Sequence, residues 1–227
     1  MKKIIIIDGG PRKTFNTATM LQKIAEGAAS VSDQIEVKTI RLYDMQYRGC
    51  MSCMACKLKD RVSNVCKYKD ALTPVLEDIA QADGLVMGSP IYFSEVTAQL
   101  RLLLERLIFP WLSYEDFSLT APKRMPVLLT YTMNATTEQA KVIYQMMGII
   151  ENCLERAFGE VEHVDAYNTY QVKSYDRYAL SAFPEPMKRQ YREEHWEQDL
   201  QRAFDAGKRM AEKISTVHRL GGIEVQH

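Results

Sequence analysis

The sequence predicts a doubly wound parallel α/β fold, and three observations carry that prediction. Ile4 to Ile7 form an uninterrupted β-branched run closed by Gly9, Gly10 and Pro11, the pattern of a strand buried on both faces. Five strand-like segments alternate with five helical ones along the 227 residues. Two of the strands end in Gly- and Pro-rich turns that lead into helices, at the sheet edge where parallel α/β folds bind ligands.

Taken in order, the first strand is followed by a helix over residues 17 to 29, with Met20, Leu21, Ile24, Ala25 and Ala28 at helical spacing and Asn16 or Thr17 available as cap. Ile35 to Leu42 alternates apolar and polar, which predicts a half-exposed edge strand. Residues 43 to 70 hold four cysteines and little periodicity. A helix at about 71 to 82 leads into a second buried strand, Gly84 to Gly88. Leu100, Leu103, Leu104 and Leu107 share one face of a helix over 95 to 109, which Pro110 stops. Met125 to Thr132 reads as the fourth strand. Residues 137 to 158 read as a long helix with Met146, Ile150, Cys153 and Ala157 on its apolar stripe, which makes Cys153 a buried core residue. Val161 to Val172 supplies the fifth strand, and a helix over 187 to 214 repeats Trp196, Leu200, Ala203, Phe204 and Met210.

The chain is long enough for one sizeable core and shows no linker or internal repeat, so a single domain over 1 to 227 is expected. Basic and acidic residues balance at 29 each, which gives no electrostatic reason to expect nucleic acid or an anionic membrane as partner. The apolar run after Lys2-Lys3 stops after four residues, too short for export, and no segment is long enough to span a membrane. A cytoplasmic protein is expected, and in that compartment five cysteines are not read as structural disulfides.

The first turn is Gly9-Gly10-Pro11-Arg12-Lys13-Thr14-Phe15-Asn16-Thr17. A helix N-terminus offers free N–H groups to a phosphate, glycines allow close backbone approach, and Arg12, Asn16 and Thr17 offer charged or hydrogen-bonding side chains. Taken alone it reads equally well as ordinary turn chemistry. It has neither the Gly-Lys-Ser/Thr ending of a nucleoside-triphosphate loop nor Gly-x-Gly-x-x-Gly spacing, so ATP and a resident NAD are not supported. The second turn, Gly88-Ser89-Pro90-Ile91-Tyr92-Phe93-Ser94-Glu95-Val96-Thr97, ends a buried strand beside the first.

With both turns in this order, most of residues 1 to 160 resembles the flavodoxin-like NAD(P)H-dependent FMN reductases and iron-sulfur flavoproteins. That resemblance implies a five-stranded sheet in the order 2-1-3-4-5. It implies FMN phosphate held at Gly10, Pro11, Arg12, Asn16 and Thr17, and an isoalloxazine ring lined by Ser89, Pro90, Ile91, Tyr92 and Phe93. Gly10 departs from the family, which has serine there. A third turn, at Thr132 and Asn134, closes the other side of the ring or simply starts a helix capped by Asn134 or Thr136.

Cys50, Cys53, Cys56 and Cys66 are spaced C-x2-C-x2-C-x9-C. The first three match compact [4Fe-4S] segments, and the resembled iron-sulfur flavoproteins carry such a motif on this loop with a shorter last gap. A four-thiolate zinc site, free or redox-active thiols, and a relic motif in a flavin-only protein are the alternatives. The implied activity is hydride acceptance from NAD(P)H and electron delivery to a small-molecule or protein acceptor, with positioning by the turns in place of an acid–base pair. A non-enzymatic electron carrier using FMN and a cluster is the other reading. A phosphoreceiver domain needs clustered acids after the first strand, where only Asp8 stands. The stretch from Phe109 to Phe117 suggests a subunit contact in a homodimer or homotetramer, with a lid over the flavin as the alternative. His163, His195, His218 and His227 are read as surface residues, and Arg189, Arg192, Glu193 and Glu194 as a solvated helix face.

Overall fold

The computed structural model describes residues 1–59 and 64–220. Its elements are β1 (Lys2–Asp8), α1 (Asn16–Ala29), β2 (Ile35–Arg41), α2 (Thr73–Gln81), β3 (Gly84–Pro90), α3 (Ala98–Ile108), β4 (Val127–Thr132), α4 (Thr137–Phe158), β5 (Val161–His163) and α5 (Glu185–Leu220). The strands form one parallel sheet in the order β2-β1-β3-β4-β5. This is the flavodoxin-like order, in which winding reverses between β1 and β3 and opens a crevice at the carboxyl edge.

Residue alternation along the strands builds two cores. Ile5, Ile7, Leu85, Met87, Val127 and Leu129 face α2, α3 and α4. Ile4, Ile6, Val86 and Leu128 face α1 and α5. The helices α1 and α5 approach until backbone meets backbone. A Cβ on Gly27 would lie 1.9 Å from the Phe204 carbonyl oxygen, and one on Gly207 would lie 2.0 Å from that of Ile24. No helix among the described residues is long and apolar enough to cross a membrane.

Several expectations need correction. The fifth strand is three residues, not the twelve of 161 to 172. After His163 only a single bridge, Thr132 to Ala166, continues the pairing, because the buried Asp165 carboxylate takes the Tyr131 N–H that a longer ladder would use. Neither Asn16 nor Thr17 caps α1; they are its first two residues, and the cap position belongs to Phe15. Residues 95 to 97 follow the tight turn of Tyr92 to Glu95 and precede α3, which Thr97 caps. On α4 the buried face is Ala140, Met147, Leu154, Ala157 and Phe158, so Met146 points outward and Cys153 is only half-buried against the core. The last helix runs well past residue 214.

Candidate functional site at the carboxyl edge of the sheet

The ends of β1, β3 and β4 are tied together by direct hydrogen bonds. Gly9 N–H donates to the Gly88 carbonyl (2.8 Å), and Thr97 Oγ1 donates to the Gly9 carbonyl (2.7 Å). Ile91 N–H reaches the Thr132 carbonyl (3.1 Å), and Thr17 Oγ1 meets Thr132 Oγ1 (2.7 Å). A Cβ on Gly9 would stand 2.9 Å from the Gly88 oxygen, so this approach requires glycine. Asp8, almost fully buried, accepts the Gly10 N–H (2.8 Å) and pairs with Arg41. Burial raises its carboxyl above the usual range, against the opposing pull of Gly10 and Arg41. The sequence reading did not use Asp8 as a builder of this turn; its place at the strand end before Gly9-Gly10 was the available signal. The same carboxylate crowds Gly10: a side chain there would bring Cβ to 3.0 Å from Asp8 Oδ1, and one of the two would have to give by a few tenths of an ångström.

At the start of α1, Phe15 is extended and no side chain caps the helix. Thr97 and Thr136, by contrast, cap α3 and α4, the latter in a reciprocal capping box with Gln139. The N–H groups of the first turn of α1 are therefore left to an external acceptor. Arg12 lies over the Phe15 ring (3.6 Å to its centroid) and donates through Nη1 to the Gln171 carbonyl (2.5 Å). Asn16 Nδ2 donates to the Tyr170 carbonyl (2.8 Å). Each keeps further N–H donors, and the loop after β5 thus fixes both side chains over the turn. Burial lowers the Arg12 pKa.

In the second turn, Ser89 and Pro90 complete β3 and are fully buried. The Ser89 hydroxyl accepts the Thr97 N–H (3.0 Å) and donates to the Pro90 carbonyl (2.8 Å), so these two residues brace the turn from within. Tyr92 and Glu95 exchange both backbone hydrogen bonds (2.9 and 3.1 Å), and the residues between them, Phe93 and Ser94, have φ of 52° and 59°. Two consecutive left-handed residues make a type I′ turn, a form that Asn and Gly usually fill. An aromatic residue held there is strained, and Phe93 projects into solvent with Tyr92 half-exposed beside it. Ile91 packs inward against the core. Tyr43 stands next to this turn, its phenol pKa raised by burial and by Tyr92 while a hydrogen bond with Thr97 opposes the shift.

The third turn follows β4. Thr132 is buried, Thr136 is the cap, and Asn134 keeps its Oδ1 buried with no partner. The Asn134 carbonyl accepts from Lys188 Nζ (2.7 Å), which also donates to Asn168 Oδ1 (2.5 Å). Lys188 is 4% exposed and forms no ion pair among the described residues; burial pushes its ammonium down to about 8. The sequence reading missed this lysine because it lies in a polar helix with no motif around it. Arg192, read as solvated, instead lies over Trp196 (4.5 Å) and Tyr170 (5.4 Å).

His163 is exposed, as read, but it is not a free surface group. Its Nδ1 is 3.3 Å from Asp165 Oδ2 and its Nε2 is 3.6 Å from Glu151 Oε1, and the Asp165 carboxylate also accepts from Tyr144. Burial lowers the imidazole pKa, but Asp165 and Glu151 outweigh it and raise the pKa overall. The i, i+2 spacing of His163 and Asp165 at a strand end was the signal that the two share a face. His195 is half-buried, and the side chain of His218 and the whole of His227 lie outside the described residues.

The four cysteines of the loop line one small recess with Arg106, Phe109 and Pro110. Cys50 and Cys53 are exposed, Cys56 and Cys66 half-buried. Burial raises the Cys56 thiol pKa, with Lys57 opposing. Arg106, its side chain wholly buried, donates to the Arg48 carbonyl (3.1 Å), the Tyr68 carbonyl (2.7 Å) and Asp70 (2.6 Å). Lys57 Nζ donates to the carbonyls of Phe109 (2.6 Å) and Leu112, pinning the loop to the end of α3. Among the described residues no three His, Cys, Asp or Glu side chains are gathered closely enough to hold a metal ion. Of the 109 to 117 stretch, Trp111 is buried, while Tyr114 and Phe117 are exposed.

Residues 2–152 match the family model for NADPH-dependent FMN reductase. The chain belongs to that family. Among curated proteins it is similar to an iron-sulfur flavoprotein of Methanocaldococcus jannaschii, 34% identical over 104 residues, covering 46% of this chain and 51% of the relative. An iron-sulfur flavoprotein of Archaeoglobus fulgidus is 36% identical over 104 residues, 46% of this chain and 48% of that one. The chain thus spans about half the length of the curated relatives it matches. In fold it is similar to an NAD(P)H:quinone oxidoreductase from Methanothermobacter marburgensis (TM-score 0.66, 17% identity, 91% of this chain and 98% of that one). An azoreductase from Bacillus anthracis has the same fold (TM-score 0.64, 12% identity, 92% and 100% covered).

Proposed function

We propose that this chain is an FMN-dependent oxidoreductase that accepts hydride from NAD(P)H and passes the electrons to a small-molecule or protein acceptor. The observation that carries this reading is the uncapped start of α1, tied to the end of β4 by the Thr17–Thr132 bond, with the Gly9 turn before it held by Thr97 beside the strained aromatic turn after β3. The residues present fit the cofactor: the N–H groups of the first turn, with Arg12, Asn16 and Thr17, suit its phosphate, and Tyr92 and Phe93 suit its flat ring. The buried, unpartnered Asn134 Oδ1 is an acceptor awaiting a donor. Gly10 and Pro11 shape the backbone, while Ser89, Pro90, Ile91 and Thr132 hold the turns in place. When bound, FMN supplies two-electron acceptance and delivery in one- or two-electron steps. The protein holds the phosphate, orients the ring edge and limits water at the turn floor.

Protein purified aerobically is expected to be yellow, to bind one FMN per chain, and to be bleached rapidly by NADH or NADPH under anaerobic conditions. Colourless protein that takes up no added FMN overturns the reading; FMN-loaded protein that neither nucleotide reduces leaves a carrier instead of a reductase. Phe117 and, on α4, Val142, Met146 and Ile149 are exposed apolar residues that support assembly as a homodimer or homotetramer.

A second reading has its own support. The thiols of Cys50, Cys53, Cys56 and Cys66 share one recess, and the curated relatives are named iron-sulfur flavoproteins. In this reading the four thiolates would hold a [4Fe-4S] cluster and the chain would be an electron-transfer protein. Anaerobic purification with iron and labile-sulfide analysis tests it: four of each per chain are expected, and zinc or neither metal overturns it.

A further inference from the structure

Beyond the first turn, a cleft of about 480 Å³ opens between residues 12 to 15 and the loop of residues 171 to 178. Four of its lining side chains are Arg12, Lys13, Lys173 and Arg177, and none is acidic. In a chain of zero formal charge this is a local concentration of positive charge. The nearest loop carboxylate, Asp176, is turned to the Ser174 hydroxyl, and Asp44 touches only the outer end of Lys13 at 3.5 Å. Arg12 is committed to the Gln171 carbonyl and the Phe15 ring, which leaves Lys173 and Arg177 as cations that form no ion pair among the described residues.

Two further features suit a nucleoside phosphate better than a bare anion. Gln171 lines the cleft and carries a buried Oε1 acceptor with no donor among the described residues, a polar group that a ribose hydroxyl suits once the side chain turns outward. Tyr178, half-exposed at the cleft wall, offers an aromatic face to a base. The volume falls within the ordinary range for small-molecule sites, roughly 300 to 1,000 Å³. The cleft adjoins the turn that suits the flavin phosphate, so a ligand there lies on the same edge of the sheet as the ring turn.

We propose that this cleft receives the adenosine ribose and 2′-phosphate of NADPH, with Lys173 and Arg177 as the residues that select NADPH over NADH. The proposal rests on the FMN reductase reading and extends it to the reductant. Two guanidinium or ammonium contacts to a phosphomonoester dianion are the interactions NADH lacks.

The test is calorimetric titration of the full chain, as purified and after FMN loading, with 2′,5′-ADP and with 5′-AMP, followed by steady-state kinetics. The wild-type chain should bind 2′,5′-ADP at least tenfold more tightly than 5′-AMP. Lys173→Ala/Arg177→Ala should erase that difference, raise the KM for NADPH by roughly 10- to 100-fold, and leave the KM for NADH and the FMN affinity within twofold. Lys173→Glu should act in the same direction, and both variants alter exposed positions that the core does not use. Equal binding of the two adenosine ligands overturns the proposal, as does competition by inorganic phosphate as strong as that by 2′,5′-ADP. Loss of FMN affinity in the double variant also overturns it, by assigning the cations to the flavin phosphate. Failure of the FMN reading itself is distinguishable, because it appears as protein that binds no flavin.

Discussion

The phosphate-type turn after β1 and the cysteine loop before α2 are both dense in functional residue types, yet the fold treats them differently. The turn is fixed from three sides by the carboxyl ends of β1, β3 and β4, through Gly9, Thr97 and the Thr17–Thr132 pair. The loop hangs from α3 by a few clips, chiefly Arg106 and Lys57, and its thiols share a recess without converging. A site on the sheet edge is preorganised by strands that the core already holds rigid, whereas a loop site acquires its geometry when its ligand binds.

That contrast can be broken from either side. The largest effect is expected from Arg106→Met, which removes the loop's buried anchor and leaves the Asp70 carboxylate only its backbone partners, the Arg48 and Leu72 N–H groups. Denaturant unfolding should register a loss of about 3 kcal/mol while FMN affinity stays within twofold, and a large loss of FMN affinity would mean that the two regions are coupled. Thr17→Val acts on the other side. Loss of the Thr17–Thr132 bond should weaken FMN binding by about tenfold in a fluorescence titration, with a stability change of about 1 kcal/mol and unaltered thiol reactivity toward Ellman's reagent.

Phe93→Gly separates strain from contact. Release of a left-handed aromatic residue should raise stability by about 1 kcal/mol while FMN binding weakens, and a fall in stability would show that Phe93 packs on something the isolated chain needs. Lys188→Met is the variant whose effect depends on pH. The Lys188 ammonium titrates near 8 in the fold and near 10.5 when unfolded, so the folded chain releases its proton first. Stability should therefore rise as pH increases from about 8 to about 10.5 and fall back as pH drops through 8. The variant should lack that slope in thermal melts run across the interval.

Much of the fold was legible because burial on both faces leaves a plain mark: Ile4 to Ile7 and Gly84 to Gly88 are continuous apolar or small-residue runs with turn residues after them. The short β5 was not legible, because Val161 to Val172 has the composition of a strand while the buried Asp165 diverts the pairing. The outward face of α4 was misjudged for a related reason. Periodicity places Met146 and Met147 one step apart, and only the neighbouring layer decides which of them is covered.

By itself the sequence determined the α/β alternation, the two Gly-Pro turns and the cysteine spacing, since these are properties of local propensity and short-range order. Only the tertiary structure decided that Asp8 crowds the position of Gly10, that Ser89 braces instead of reaching outward, and that Lys188 is buried behind Asn134. It also decided that Arg12, Lys13, Lys173 and Arg177 line one cleft although about 160 residues separate the two pairs. Such groupings depend on which strands become neighbours and which loops then cross the sheet edge. That information lies in long-range packing, which no local pattern contains.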